Sequence, residues 1–256
     1  MNRYLCLVFI ISVLFLRGSV IHAQVFSLDL PTNPMNPGFN NQLTLNGNFQ
    51  NGNTVLSDAT TAFRTDYLDQ NFRITLELNY EHGTNTGVQY AHNGQSLIRC
   101  LEGIPSTRFE LEGVVSTQYD AILQLDNRFI YGAGVRINLF GIQDSQVTTN
   151  LTYGLGLISD TETNTNMPQT SSIRIVNYIA FLWNITPTIT LNTTTRSRIS
   201  LQNSSDHLED FIGKISIPLL AQFTLNLELD LNYDSEPAPG VKKWDTQFIN
   251  GLTWSF

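Results

Sequence analysis

From Phe223 to Tyr233 every second residue is bulky and apolar: Phe223, Leu225, Leu227, Leu229, Leu231 and Tyr233 alternate without a break with Thr224, Asn226, Glu228, Asp230 and Asn232. Successive side chains of a β-strand point to opposite faces, so this segment has one apolar and one polar face; wound as a helix, the same residues would scatter around the cylinder. The pattern recurs. Phe72, Ile74, Leu76, Leu78 and Tyr80 oppose Arg73, Thr75, Glu77, Asn79 and Glu81, and Phe129, Tyr131, Ala133, Val135, Ile137 and Leu139 oppose Gly132, Gly134, Arg136 and Asn138. Ile189, Leu191, Ile199 and Leu201 lie opposite Arg196 and Arg198. The last stretch puts Trp244, Phe248, Leu252, Trp254 and Phe256 on one side and Asp245, Gln247, Gly251 and Ser255 on the other. No helical period is sustained, and twelve such segments follow one another between Asn41 and Phe256.

An all-β chain with an even number of strands can close on itself with both ends on one side. The connections divide accordingly. On the side of the termini, Leu68–Asn71, Leu101–Ser106, Phe140–Ser145, Thr186-Pro187 and Pro218–Ala221 are mostly short. On the other, Glu81–Gly87, Gln118–Asn127, Ile158–Gln169, Gln202–His207 and Asp234–Val241 are mostly longer, with Asn51–Asn53 the short exception. That asymmetry is expected of a closed antiparallel transmembrane β-barrel of about 12 strands in the bacterial outer membrane, its termini periplasmic. A soluble lipocalin-like barrel or a sandwich also alternates. Eight strands already fill a barrel with side chains, however, and the apolar faces of twelve would overfill a small interior, so the polar face is assigned to the lumen and the apolar face to outer-membrane lipid. A hydrophobic fraction of 41% fits both arrangements and decides nothing.

Residues 1–23 carry Arg3, an apolar run from Tyr4 to Phe15 and Ile21-His22-Ala23 ahead of Gln24, the layout of a removable signal peptide. The run is broken at Arg17 and is shorter than the roughly 20 residues a spanning helix needs, which leaves membrane insertion to strands. Residues 24–40, with Pro31, Pro34 and Pro37, read as an irregular lead-in to a barrel of residues 41–256. Without residues 1–23 the chain has 12 basic against 22 acidic side chains and a single thiol, Cys100. The acidic balance argues against nucleic acid as a partner, and one thiol cannot form an internal disulfide.

The ending Gly251-Leu-Thr-Trp254-Ser-Phe256 resembles the C-terminal assembly signal of bacterial outer-membrane barrels: glycine, two variable residues, an aromatic, one variable residue, terminal phenylalanine. The resemblance implies that the barrel-assembly machinery reads Gly251, Trp254 and Phe256. The last hairpin, Tyr233-Asp-Ser-Glu-Pro-Ala-Pro-Gly-Val-Lys-Lys-Trp-Asp245, is similar to the C-terminus of the DUF481 family, the YdiY-like salt-induced outer-membrane proteins, with Asp234, Glu236, Pro237, Pro239 and Gly240 in its loop. Asp126-Asn-Arg-Phe-Ile-Tyr-Gly-Ala-Gly-Val-Arg136 and the opening Asn46-Gly47-Asn48-Phe49 also resemble that family. The resemblance spans about Asn41 to Phe256 and implies a location and a barrel, with no biochemical activity specified.

Little points to catalysis. His92 and Ser96 are four apart, with Gly94 between them, whereas an outer-membrane phospholipase needs its His and Ser two apart on one strand face. His82, His92 and His207 lack metal-ligand spacing. Gly132 and Gly134 precede no helix and read as small residues on a crowded strand face. The expectation is a non-enzymatic barrel without cofactor or metal, and the residues of interest are charges on the lumen-facing parity: Arg136, Arg174, Arg196 and Arg198 with Glu77, Glu228 and Asp230. Arg64, Arg73, Lys214, Glu110 and Glu112 share that parity. Two readings follow, with an outer-membrane hydrolase as a third. These charges line a narrow channel for small, weakly anionic solutes, or they pair and plug a structural or adhesion barrel that acts through its loops, Glu228 and Asp230 then neutralising Arg196 and Arg198. Deleting Phe256 is expected to deplete the folded, heat-modifiable form on unboiled gels far more than conservative changes in the outer loops; normal levels would remove the assembly role.

Overall fold

The computed structural model describes residues 37–50, 56–85, 88–121, 124–143, 148–186 and 188–256. The expected signal peptide, nearly all of the lead-in and the Asn51–Asn53 turn lie outside them. Among the described residues twelve strands form: β1 (Gly38–Gln50), β2 (Leu56–Asp69), β3 (Phe72–Asn85), β4 (Val88–Gly103), β5 (Phe109–Asp120), β6 (Leu125–Gln143), β7 (Thr148–Asn164), β8 (Thr170–Thr186), β9 (Ile189–Ser200), β10 (His207–Leu220), β11 (Phe223–Asp234) and β12 (Trp244–Ser255). Each pairs antiparallel with its neighbours in sequence, and β1 pairs with β12, so the sheet is a closed barrel. The closing seam runs from Gln42↔Ser255 to Asn46↔Gly251 and is extended by reciprocal backbone bonds between Asn41 and Phe256 of 3.1 and 3.2 Å. Closure gives every strand two partners, the condition for burying a sheet in lipid without stranded N–H and C=O groups.

The outer surface is what the alternation requires. Leu45, Leu78, Leu155, Leu157, Ile179 and Leu229 are all exposed there, as befits side chains that lipid must solvate. Aromatic residues collect at the margins of this band. Phe39, Phe109, Phe140, Trp183, Trp254 and Phe256 lie near the terminal end, and Tyr80 and Trp244 toward the far end. These are the two girdles that amphipathic rings form at membrane–water boundaries. His92 belongs to the outer face as well, within reach of the rings of Tyr80, His82 and Tyr119, and so does Ser96; the pair lies in an aromatic belt.

The strand limits differ from the expected ones in one direction. β1 starts at Gly38, inside the expected lead-in, and three of the expected long loops are partly strand, because β3 continues to Asn85, β5 to Asp120 and β7 to Asn164. The far ends of these strands are rich in Asp, Glu and Thr, which read as loop in a linear sequence. In the barrel Asp120 and Asp160 turn inward and are buried, so they belong to the lumen wall. Arginine placed at Ile179, midway along the lipid face of β8, is expected to cost about 2–4 kcal/mol, and at Phe109, near the terminal boundary, about 0–1 kcal/mol. Urea titrations in lipid vesicles check this; equal midpoints for the two variants would refute the band.

Candidate functional site

The interior is built from the second face of each strand. On β9 this face carries Thr190, Asn192, Thr194, Arg196, Arg198 and Ser200, all buried. Arg196 Nε donates to Asp210 Oδ2 at 2.9 Å, and Arg198 Nη2 donates to both oxygens of Asp210 at 2.9 and 3.0 Å. Asp210 lies on β10 in register with Arg196, so the contact follows directly from strand pairing. Asp210 is thus an acid beside these arginines that the sequence reading did not name. Glu228 accepts from Lys214, its register partner, at 2.9 Å, while Asp230 is buried two residues further along β11.

A second shared carboxylate lies toward the same far end. Asp160 on β7 accepts Arg128 Nε and Nη2 on its two oxygens at 2.8 and 3.1 Å, and Arg174 Nε at 3.0 Å. Arg174 then extends two donors, each 2.9 Å long, to the carboxylate of Asp206 in the β9–β10 connection. Arg128, which ties this group to β6, was not singled out in the sequence; its inward parity two residues before Ile130 was the available signal.

The opposite wall repeats the device nearer the terminal end. Asp66, fully buried, accepts from Arg64 at 2.8 Å, Arg73 at 2.7 Å and the Thr75 hydroxyl at 2.5 Å, while Arg64 also reaches Glu77 at 2.7 Å. Arg99 donates to Glu112 at 2.6 Å, and Arg136 pairs with Glu110. Tyr178 on β8 reaches across the lumen: it donates its hydroxyl to Glu112 on β5 at 2.6 Å and accepts from Arg99 on β4 at 3.3 Å. The ring has room because residue 154 is glycine; a Cβ there would stand 2.1 Å from it.

Not all of the interior is polar. Leu97, Ile130, Ile158, Tyr178, Ala180 and Leu182 form a buried cluster inside the barrel, with Val114 and Val176 packed against it. The lumen face is therefore not polar throughout: on β4–β8 this apolar cluster lies among the ion pairs. Two buried charges seldom gain more from each other than they lose in dehydration, but removing one partner strands the other at a cost of several kcal/mol. The network thus holds the interior in one arrangement more than it adds net stability.

The remaining residues of interest are dispersed. Gly251 lies beneath the side chain of Asn46, where a Cβ would overlap the amide, and the rings of Trp254 and Phe256 meet on the outer face with centroids 4.4 Å apart. In the last hairpin Asp234 Oδ1 accepts the backbone N–H of Glu236 at 2.8 Å and Gly240 has φ +89°. Asp234, Glu236 and Pro237 line a cavity of ≈ 50 Å³ at the far mouth of the lumen, together with Arg128, Arg198 and Lys242, whereas Pro239 is exposed. Among the described residues no group of three His, Cys, Asp or Glu is placed to hold a metal ion.

A closed twelve-stranded barrel with an apolar outer band, two aromatic girdles and a charged interior is an outer-membrane-type β-barrel. The chain belongs to the family described as protein of unknown function, DUF481, whose model matches residues 43–256. No curated protein matches it. Among solved structures it is similar to the NanC porin, at 9% identity and TM-score 0.52 over 83% of this chain and 98% of that one. It is also similar to an outer-membrane channel from Pseudomonas putida F1, at 10% identity and TM-score 0.52 over 91% of this chain and 100% of that one. At such identities the likeness is one of fold.

Replacing Asp210 by Ala, which removes the buried acid that Arg196 and Arg198 share, is expected to cost about 3–5 kcal/mol. Glu228→Gln, at a half-buried pair, is expected to cost less than about 1 kcal/mol. Tyr178→Phe falls between, at about 1.5–3 kcal/mol, the range for a hydrogen bond to a charged group. Denaturant midpoints of the three refolded variants give the order, and an Asp210 variant as stable as the Glu228 variant would refute the shared-carboxylate reading.

Proposed function

We propose that the protein is a narrow, non-enzymatic channel of the bacterial outer membrane for small polar solutes, with its termini on the periplasmic side. The observation that carries this reading is the unequal filling of the interior. Inward side chains of β4–β9 are mostly buried, whereas Gln42, Thr44, Asn46, Thr60, Gln247 and Glu228, which face inward from β1, β2, β12 and β11, are only half-buried beside the buried Asn226, Asp230, Asn232 and Thr253. A strip of hydrogen-bonding side chains therefore borders open space along that wall, against the filled wall opposite. Water and small solutes exchange hydrogen bonds along such a strip at little cost, since each group bound replaces one released.

Selectivity by charge is expected to be weak. Lys214, a cation next to the strip, pairs with Glu228, and Arg196 and Arg198, which share the one carboxylate of Asp210, stand on the more densely filled wall, so little uncompensated field reaches the strip. The buried apolar cluster favours a second reading, a plugged structural barrel. Planar-bilayer recordings separate the two: small discrete conductances with reversal potentials near zero in a salt gradient are expected, and Glu228→Gln, which removes one negative charge beside the strip, should shift the reversal potential toward anions. Absence of conductance from the folded, heat-modifiable protein would favour the plug.

A further inference from the structure

Arg128 and Arg198 use only part of their hydrogen-bonding capacity. Arg128 spends Nε and Nη2 on Asp160, and Arg198 spends Nη2 on Asp210. Arg128 Nη1 and Arg198 Nη1 and Nε are buried without a hydrogen-bond partner among the described residues. Both side chains are at most 2% exposed, and both line the ≈ 50 Å³ cavity at the far mouth of the lumen. Orphaned guanidinium donors on two neighbouring arginines are costly unless something accepts from them. Neither arginine is required by the acid it touches, since Asp160 keeps Arg174 and Asp210 keeps Arg196. Each is a second cation on a carboxylate already paired, with donors left over.

Resting on the channel reading above, we infer that this mouth binds one small oxyanion, a carboxylate or phosphate group, between Arg128 and Arg198. The planar guanidinium presents paired donors that match two oxygens of such a group, which a lone ammonium does not. The volume suits it: at roughly 10–15 Å³ of such space per water, the cavity takes about four waters or one oxyanion. Lys242 and Lys243 line the same cavity and add positive charge at its rim. The acids in the wall are Asp210, Asp234, Glu236 and Asp245. Asp210 is held by two arginines, Asp234 accepts the Glu236 N–H, and Glu236 accepts from Asn203 at 3.0 Å, so three of the four are engaged elsewhere. The family-like hairpin therefore closes over a site for a single anionic group.

The test uses the full folded protein in detergent, with acetate and inorganic phosphate as separate probes against chloride at equal ionic strength. A saturable rise in the midpoint of thermal unfolding is expected with acetate, phosphate or both, and the better probe identifies the group. Arg128→Gln and Arg198→Gln should each weaken that binding at least tenfold; the lysine replacements, which keep the charge and lose the spare donors, should weaken it too. Arg108→Gln, in an exposed turn at the terminal end, should leave it unchanged. Gel mobility of unboiled samples shows whether each variant has folded, and the wild-type comparison of probes stands even if one has not. No saturable effect of either probe beyond that of chloride, or equal binding by folded wild type and both glutamine variants, would overturn the site and assign the spare donors to water. Binding without bilayer conductance would retain the site and remove the channel; conductance without binding would do the reverse.

Discussion

Closure of the hydrogen-bond ladder is the constraint from which the rest of this structure follows. A sheet in lipid has no water to satisfy a free edge, so β1 must meet β12, and the Gln42↔Ser255 to Asn46↔Gly251 pairing is what makes the other eleven seams permissible. Closing twelve strands fixes a circumference larger than a ring of side chains fills by itself. The interior then has to be occupied by long side chains, by water, or by both. Arginine, the longest of the inward residues, does most of the spanning, and it brings a charge that has to be answered.

That charge is answered by sharing. Asp66, Asp160 and Asp210 each hold two guanidiniums, and Glu112 is held from one side by Arg99 and from across the barrel by Tyr178. A carboxylate has about four lone-pair positions, so two arginines can be served by one acid without leaving its oxygens idle. Sharing also makes the network directional. Strands β4–β9 are tied to one another and packed round the Leu97–Ile130–Ile158 cluster, whereas β11, β12, β1 and β2 offer mostly short polar side chains that cannot reach across. The β4–β9 side of the interior is thus the more densely filled and braced. The far mouth, roofed by the Asp234–Trp244 hairpin, is where the braced half keeps unused donors.

The sequence by itself determined which face of each strand meets lipid and which meets the lumen, as the course of Leu225, Leu227 and Leu229 beside Asn226, Glu228 and Asp230 illustrates, because alternation is a property of one extended strand and needs no knowledge of its neighbours. It determined the closed, even-stranded barrel for the same reason, and the inward parity of Arg136, Arg174, Arg196 and Arg198. Only the tertiary structure decided which acid answers which arginine. Asp210 holds Arg196 and Arg198, and Asp160 holds Arg128 and Arg174, since pairing depends on the register between strands, which a one-residue slip would change and which no single strand records. It also decided that Leu97, Ile130, Ile158 and Leu182 gather into one buried apolar cluster on the lumen side, and that Tyr178 reaches Glu112 over Gly154. The Tyr178–Glu112 bond joins strands three places apart, and only the curvature of the closed barrel brings such residues within a bond's length.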